Sequence, residues 1–352
     1  MRKFKISAVI TAMAMVMAMF TANNLNGQNL GGAITCPGIQ TLSCTTGTPN
    51  SPIPGTEYTY SVNVSPTGGA YTWFVTTDTN FISGGVLTTN RESETGSIIL
   101  AAGTGYNDPV NGIGDIKITW EAKPTSGDVF LVMNYEITTP CASNNLKVFK
   151  IDIINNFAID VYAVTDPTSA TPETAPGTTT PGSEPTPCPS TVTGATYNGT
   201  TMVYDYGKTY LYYVIAAGNF TDAAAIKFKV NTTLGTGQTM AVHTSADGTG
   251  ADGTAGAWTE ATETETAGEY SVNMTGSGFV AQQCVVVRVE LTNGTYESTT
   301  AQSVTLEADA TTNSGNINDV ATDCTDAAAF AKASLQTIQA RPTVTAKAGT
   351  SL

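Results

Sequence analysis

The sequence is poor in positive charge and has only one histidine. Its 352 residues include 15 Lys and Arg against 29 Asp and Glu, a formal net charge of −14. A chain of this charge is repelled by nucleic acid and by anionic membranes, so nucleic-acid binding is excluded. Catalysis of the Ser-His-Asp or Cys-His kind has no imidazole to use other than His243. We interpret His243 as a surface residue and expect no enzymatic activity and no catalytic residues.

Long apolar runs are also absent, apart from one near the N-terminus. Residues 1–27 combine a positively charged start with an apolar run from Ile6 to Phe20, followed by small or polar residues. This pattern predicts a cleaved signal peptide, because the run is shorter than the roughly 20 residues that a membrane-spanning helix needs. We therefore expect a mature chain without a membrane span, with 12 positive and 29 negative residues, that is secreted or held at the cell surface.

The sequence has no pair of cysteines in CxxC spacing, which argues against a zinc site of the usual Cys/His kind. Cysteines in an exported chain predict disulfides, and their spacing does not choose among the 15 full pairings of six residues. Each half of the chain has an odd number, so one bridge crosses between the halves, two thiols stay free, or two chains are linked. The six are Cys36, Cys44, Cys141, Cys188, Cys284 and Cys324.

Short runs of alternating apolar and polar residues fill most of the chain and predict an all-β fold. The stretch "GAYTWFVTT" at 69–77 places Tyr71, Trp73 and Val75 on one side of a strand. A tryptophan within such an apolar stripe is typical of a sandwich core, so we predict that Trp73 is buried rather than offered to a ligand. About seven such runs between residues 33 and 164 predict an immunoglobulin-like β-sandwich.

A segment rich in proline and threonine, residues 165–187, has no large apolar residue and predicts an extended linker. Residues 188–324 repeat the all-β pattern and predict a second sandwich. An alanine-rich stretch follows, with Thr325 or Asp326 as a cap, an apolar stripe and a proline at 342. It predicts a short helix over 325–341 within a C-terminal segment, 325–352, that ends in a loose tail.

Two groups of residues are candidate binding sites. Asp247 and Asp252 lie in a glycine-rich loop and offer oxygen ligands of the kind that calcium prefers, although their spacing differs from that of an EF-hand. We predict no other cofactor. Tyrosines are concentrated in the second half of the chain, where either core packing or a ligand surface explains them. The candidates for that surface are Tyr204, Tyr206, Tyr210 and Tyr212.

Residues 44–164 resemble the PKD-like and immunoglobulin-like domains of proteins exported to the surface of Gram-negative bacteria. The resemblance covers about a third of the chain and depends on "GTEYTYSV", "AYTWFV", "IKITWEA" and "SGDVFLVMNYEITTPC". It implies a β-sandwich in a surface protein. It also implies a disulfide between the cysteines near the ends of the domain, which are Cys44 and Cys141.

These observations predict a secreted or cell-surface protein that has a structural or adhesive role and acts by contact with other extracellular proteins, including copies of itself. A carbohydrate-binding module or glycan-active enzyme is an alternative, in which the tyrosines contact the sugar. A third hypothesis is that the protein is a filament or surface-layer subunit, which free strand edges in the structure would support.

Overall fold

A computed structural model describes most of the chain: residues 36–44, 46–121, 127–139, 141–164, 184–245, 258–312 and 317–345. The predicted signal peptide, most of the predicted linker (165–183) and the end of the tail (346–352) lie outside these residues. Within them the fold is all-β, as predicted, and no helix is long and apolar enough to cross a membrane.

The first sandwich is built from eight strands. They are β1 (Glu57–Ser61), β2 (Ala70–Thr76), β3 (Ile82–Ser83), β4 (Val86–Leu87), β5 (Ile99–Ala102), β6 (Asp115–Trp120), β7 (Val129–Ile137) and β8 (Ser143–Ile151). One sheet has the order β1-β6-β5 and the other the order β2-β7-β8, with every pairing antiparallel. The strands β3 and β4 form a separate hairpin.

The core of this sandwich contains both of its tryptophans. Trp73 on β2 and Trp120 on β6 come from opposite sheets, and neither is exposed to solvent. The indole Nε1 of Trp73 donates a hydrogen bond to the carbonyl oxygen of Ile113 at 2.8 Å, and Nε1 of Trp120 donates to the hydroxyl of Tyr60 at 2.9 Å. The prediction that Trp73 is a core residue is therefore confirmed.

The second sandwich contains thirteen strands. They are β9 (Ala158–Val164), β10 (Gly194–Tyr197), β11 (Met202–Asp205), β12 (Lys208–Gly218), β13 (Phe220–Thr232), β14 (Thr239–Ser245), β15 (Thr259–Glu260), β16 (Thr262–Glu263), β17 (Glu269–Val280), β18 (Gln283–Thr292), β19 (Gln302–Thr312), β20 (Ile317–Asn318) and β21 (Lys332–Ile338). A sheet of order β15-β14-β18-β12-β9 faces a sheet of order β16-β17-β13-β19-β20, in which β21 also pairs with β19. Their shared core includes Ile215 and Val287 from one sheet and Phe228 and Leu306 from the other.

The predicted boundary between the two sandwiches is wrong. Strand β9 belongs by sequence to the first sandwich, yet it pairs with β12 of the second from Ala158 to Val164. The other side of the proline-rich segment joins the same sandwich. The backbone amides of Thr337 in β21 and of Gln339 just after it donate hydrogen bonds to the carbonyl oxygens of Pro185 and Pro187. Strand β9 was misassigned because strand periodicity says nothing about which sheet a strand joins.

The predicted C-terminal helix is also wrong, because strand β21 occupies Lys332–Ile338. It pairs with β19 from Gln302 to Ala308 and closes the side of the sandwich next to β9. Three polar side chains on one face of β21 are buried: Lys332, Ser334 and Gln336. Because these buried residues are polar, the sequence does not show the alternation of apolar and polar residues that indicates a strand. Long-range pairing with β19 overrides the helix propensity of the alanines.

The predicted bridge between Cys44 and Cys141 is a third error. Cys44 is bonded to Cys324 and Cys36 to Cys284, while Cys141 and Cys188 are exposed free thiols. Both bridges attach the N-terminal segment, residues 36–44, to the second sandwich. Two disulfides therefore link the first half of the chain to the second half, because residues 36–44 pack against the second sandwich.

Buried carboxylates lie where β21 closes the sandwich. Asp319 is buried, and its Oδ1 accepts a hydrogen bond from the Ala310 amide at 3.2 Å. Burial, helped by the neighbouring carboxylate of Asp309, raises the pKa of Asp319 to about 7, while the charge of Lys332 opposes this. The folded chain therefore holds this proton more tightly than the unfolded chain does.

We expect the folded chain to lose stability as the pH rises from about 4 to about 7, since Asp319 must then ionise inside the protein. Replacing Asp319 with asparagine reduces this slope, because the amide keeps the hydrogen bond from Ala310 and carries no charge, while the buried Asp160, whose pKa is also raised, keeps its own share. Urea midpoints measured between pH 4.5 and pH 8 test this, with the exposed Asp115→Asn variant as a control that keeps the slope. An unchanged slope in Asp319→Asn would contradict the assignment.

Candidate binding surface

A hairpin at one end of the second sandwich is exposed on both faces. It consists of β10 and β11, which pair only with each other among the described residues. Its turn contains Asn198 and Gly199, and Gly199 has a φ of 95°, which favours glycine. The Asn-Gly dipeptide is a strong hairpin signal, so the sequence contained the information that predicts this element.

One face of this hairpin is apolar. Register pairs Tyr197 with Met202 and Ala195 with Tyr204, so these residues share a face. Tyr197 is 63% exposed, Met202 47% and Tyr204 41%. We call these three residues the hairpin face. The opposite face carries the pairs Thr196–Val203 and Gly194–Asp205 and is more polar.

The hairpin is held by a polar network at its base. The Tyr206 amide donates a hydrogen bond to the carbonyl oxygen of Gly294 at 2.7 Å. The Thr193 amide donates one to the carbonyl oxygen of Asp205 at 2.8 Å. The buried side chain of Asn293 donates from Nδ2 to the Ser190 hydroxyl at 2.8 Å and accepts from Gln238 at 2.8 Å. The hairpin face is therefore presented from an ordered base.

An aromatic contact links the hairpin face to the C-terminal segment. The rings of Tyr204 and Tyr206 lie 5.9 Å apart, and the Arg341 guanidinium lies 4.6 Å from the centre of the Tyr206 ring. The Nε of Arg341 also donates to the carbonyl oxygen of Glu297 at 3.0 Å. Burial is the main cause that raises the pKa of Tyr206, and the charge of Arg341 opposes it.

The structure separates the four tyrosines that the sequence grouped as a ligand surface. Tyr204 is exposed, Tyr206 and Tyr212 are buried, and Tyr210 is half-buried. Tyr212 packs with Trp258 and Val286 on the outer side of the five-stranded sheet, and Arg288 lies there between the rings of Trp258 and Tyr210. Burial removes Tyr206 and Tyr212 from a common exposed surface, whereas Tyr197 and Met202 are exposed on the same face as Tyr204.

The remaining candidate residues do not form a reactive site among the described residues. His243 pairs across the sheet with Arg288 and Glu260, and burial together with Arg288 lowers its pKa. Asp247 and Asp252, the candidate calcium ligands, lie outside the described residues. Within these residues, no three His, Cys, Asp or Glu side chains are grouped as metal ligands.

The chain was compared with protein-family models, curated proteins and solved structures. No protein-family model and no curated protein matches it. Among solved structures, a mutant of the adhesin CfaE from enterotoxigenic Escherichia coli is 9% identical, with a TM-score of 0.26, and the match covers 91% of this chain and 85% of CfaE. The pilus protein RrgB of Streptococcus pneumoniae is 13% identical, with a TM-score of 0.26 and coverages of 70% and 49%.

A third similar structure is the collagen adhesin CNA of Staphylococcus aureus. It is 10% identical, with a TM-score of 0.20, and the match covers 85% of this chain and 92% of the adhesin. At such scores a likeness does not establish a common fold or a common function.

Proposed function

We propose that the chain is an exported, non-catalytic surface protein that binds another protein through the hairpin face. The exposure of Tyr197, Met202 and Tyr204 on one side of a fixed hairpin is the observation that supports this function. A two-stranded ribbon that is open to water on both faces is marginally stable, so a partner that covers its apolar side stabilises it. Tyrosine and methionine are also enriched at the centre of protein interfaces.

Charge supports a protein partner with an apolar surface. Residues 188–207 contain a single charged residue, Asp205, in a chain with 29 acidic residues. Most of the surface repels other acidic molecules, and the hairpin face lacks that repulsion. Burying half of a tyrosine or methionine side chain contributes roughly 1 kcal/mol.

The proposal is tested with beads that carry residues 28–352 and are held under flow. We expect retention on surfaces coated with collagen or with the same chain, and a loss of at least tenfold when Tyr197, Met202 and Tyr204 are all replaced by serine. The matched control is Val203→Ser on the opposite face of the hairpin, which should keep retention. Retention on immobilised glycans alone would favour the carbohydrate-binding alternative, and retention on none of the surfaces would contradict an adhesive role.

A filament subunit is a second candidate, supported by the edge strand β8. Its nine residues, Ser143–Ile151, pair only with β7 in the described part of the chain. An unpaired edge of this length can accept a strand from another copy. Filaments seen by electron microscopy at high protein concentration, and lost on substitution of Val148 by proline, would support this candidate over the adhesive one.

A further inference from the structure

Both disulfides join the start of the described chain to its far end. Cys36 is bonded to Cys284 on β18 across a sequence separation of 248 residues, with the Cα atoms 5.6 Å apart. Cys44 is bonded to Cys324, between β20 and β21, across a separation of 280 residues, with the Cα atoms 5.9 Å apart. Almost the whole fold therefore lies inside a covalent loop closed by Cys44 and Cys324.

Non-covalent contacts hold the N-terminal segment against the second sandwich on both sides of these bonds. The Ser43 amide donates to the carbonyl oxygen of Thr322 at 2.7 Å, and Nε2 of Gln282 donates to that of Cys36 at 3.0 Å. The side chain of Leu42 is buried against Ala158 and Val320. The segment is thus a part of the second sandwich that precedes the first sandwich in the chain.

This connectivity fixes how the chain responds to a pull on its two ends. Tension applied before Cys36 and after β21 passes along residues 36–44, through the Cys44–Cys324 bond, and on from residue 325. Residues 45–323, which form the first sandwich and nearly all of the second, lie outside that path. We propose a further function for the protein: it transmits tension between its ends while both sandwiches stay folded.

Only short segments can extend under such a pull. Strand β21 follows Cys324 and is held by its pairing with β19 from Gln302 to Ala308 and by the Pro185 and Pro187 carbonyls. The path lengthens most when β21 separates from β19 and residues 36–44 separate from the second sandwich. Binding at the hairpin face does not load this path, because Tyr197, Met202 and Tyr204 lie within residues 45–323. The tension path is therefore independent of the proposed surface role and carries only a load applied at the two ends of the chain.

The two bonds have unequal roles, and this makes the proposal testable. Without Cys44–Cys324, the path runs through Cys36–Cys284 and gains 32 residues, which is the difference between the two sequence separations. At about 3.6 Å per extended residue, this is a gain of roughly 115 Å. Without Cys36–Cys284, the shorter path through Cys44–Cys324 remains, and no length is gained.

Single-molecule pulling on residues 28–352, with handles at both ends, measures these lengths. We expect a gain of roughly 115 Å for Cys44→Ser with Cys324→Ser, none for Cys36→Ser with Cys284→Ser, and roughly 1,000 Å when all four are replaced. The native protein placed in reductant after folding should also release roughly 1,000 Å, which keeps the test valid if the fourfold variant does not fold.

Some outcomes would overturn the proposal. One is release of about 1,000 Å by the oxidised native chain, because the sandwiches would then lie in the path. Another is a large gain in the Cys36→Ser, Cys284→Ser variant, because tension would then not pass through Cys44–Cys324. A chain that fails to hold beads under flow but keeps the short extension would contradict the adhesive role and leave the tension path standing.

Discussion

Replacing Trp73 with alanine is expected to lower the free energy of unfolding by about 3–5 kcal/mol. The side chain has no solvent exposure, lies between the two sheets of the first sandwich and stacks on Phe149 with the ring centres 6.2 Å apart. Its removal leaves a cavity in a core of rigid aromatic and branched side chains. It also leaves the carbonyl oxygen of Ile113 without its hydrogen bond at 2.8 Å.

Urea unfolding followed by far-ultraviolet circular dichroism measures this loss. The Trp73→Phe variant keeps one aromatic ring but loses the hydrogen bond and the rest of the indole, so we expect a loss smaller than that of Trp73→Ala, of which the hydrogen bond accounts for about 1–2 kcal/mol. The Val110→Ala variant, at a side chain that is 86% exposed, should stay within about 0.5 kcal/mol of the native chain. A loss below about 1 kcal/mol in Trp73→Ala would show that the ring is not a core residue.

Replacing Lys332 with methionine is expected to cost about 3–5 kcal/mol at neutral pH. The ammonium of Lys332 lies 3.6 Å from Oδ1 of Asp160, and the Lys332 and Asp160 side chains are both buried. The Gln40 amide donates to Oδ2 of the same carboxylate. Without the lysine this carboxylate stays buried with no opposing charge, and burial already raises the pKa of Asp160.

The loss in Lys332→Met should be smaller at pH 4.5 than at pH 8, because a protonated Asp160 needs no opposing charge. The double variant with Asp160→Asn should recover most of the lost stability, since the buried charge is then gone as well. Thermal unfolding at the two pH values tests both statements. Equal losses at both pH values, or no recovery in the double variant, would mean that the effect comes from packing around β21.

The sequence predicted the strands well where one face of a strand is apolar. The stretches "GAYTWFVTT", "IKITWEA" and "SGDVFLVMNYEITTPC" contain most or all of β2, β6 and β7. Their periodicity follows from burial of one side, which is a local property of the sequence. Burial of Trp73 followed from the same pattern.

The errors arose where a distant part of the chain decides the outcome. Strand β9 has a clear strand pattern, yet only its pairing with β12 shows which sandwich contains it. Strand β21 was predicted as a helix because Lys332 and Gln336 are polar, and their partners Asp160 and the carbonyl of Tyr212 lie far away in sequence. Pairing of the cysteines depends on the same long-range contacts.

The candidate surface was predicted only in part. The density of tyrosine in the sequence pointed to the region that contains the hairpin, but residue type alone does not separate exposed Tyr204 from buried Tyr212. The Asn198–Gly199 turn supplies the missing signal, since a two-stranded hairpin beside the main sheets leaves its own side chains in water.

The residues on both sides of the segment 165–183 belong to the second sandwich. Val164 ends β9, and Glu184 begins the stretch beside β21, so the segment leaves and re-enters one sandwich. Its length therefore does not set the distance between the two sandwiches, as a spacer would. A change in its length alters instead the loop that closes between the end of β9 and Glu184, both of which belong to the second sandwich.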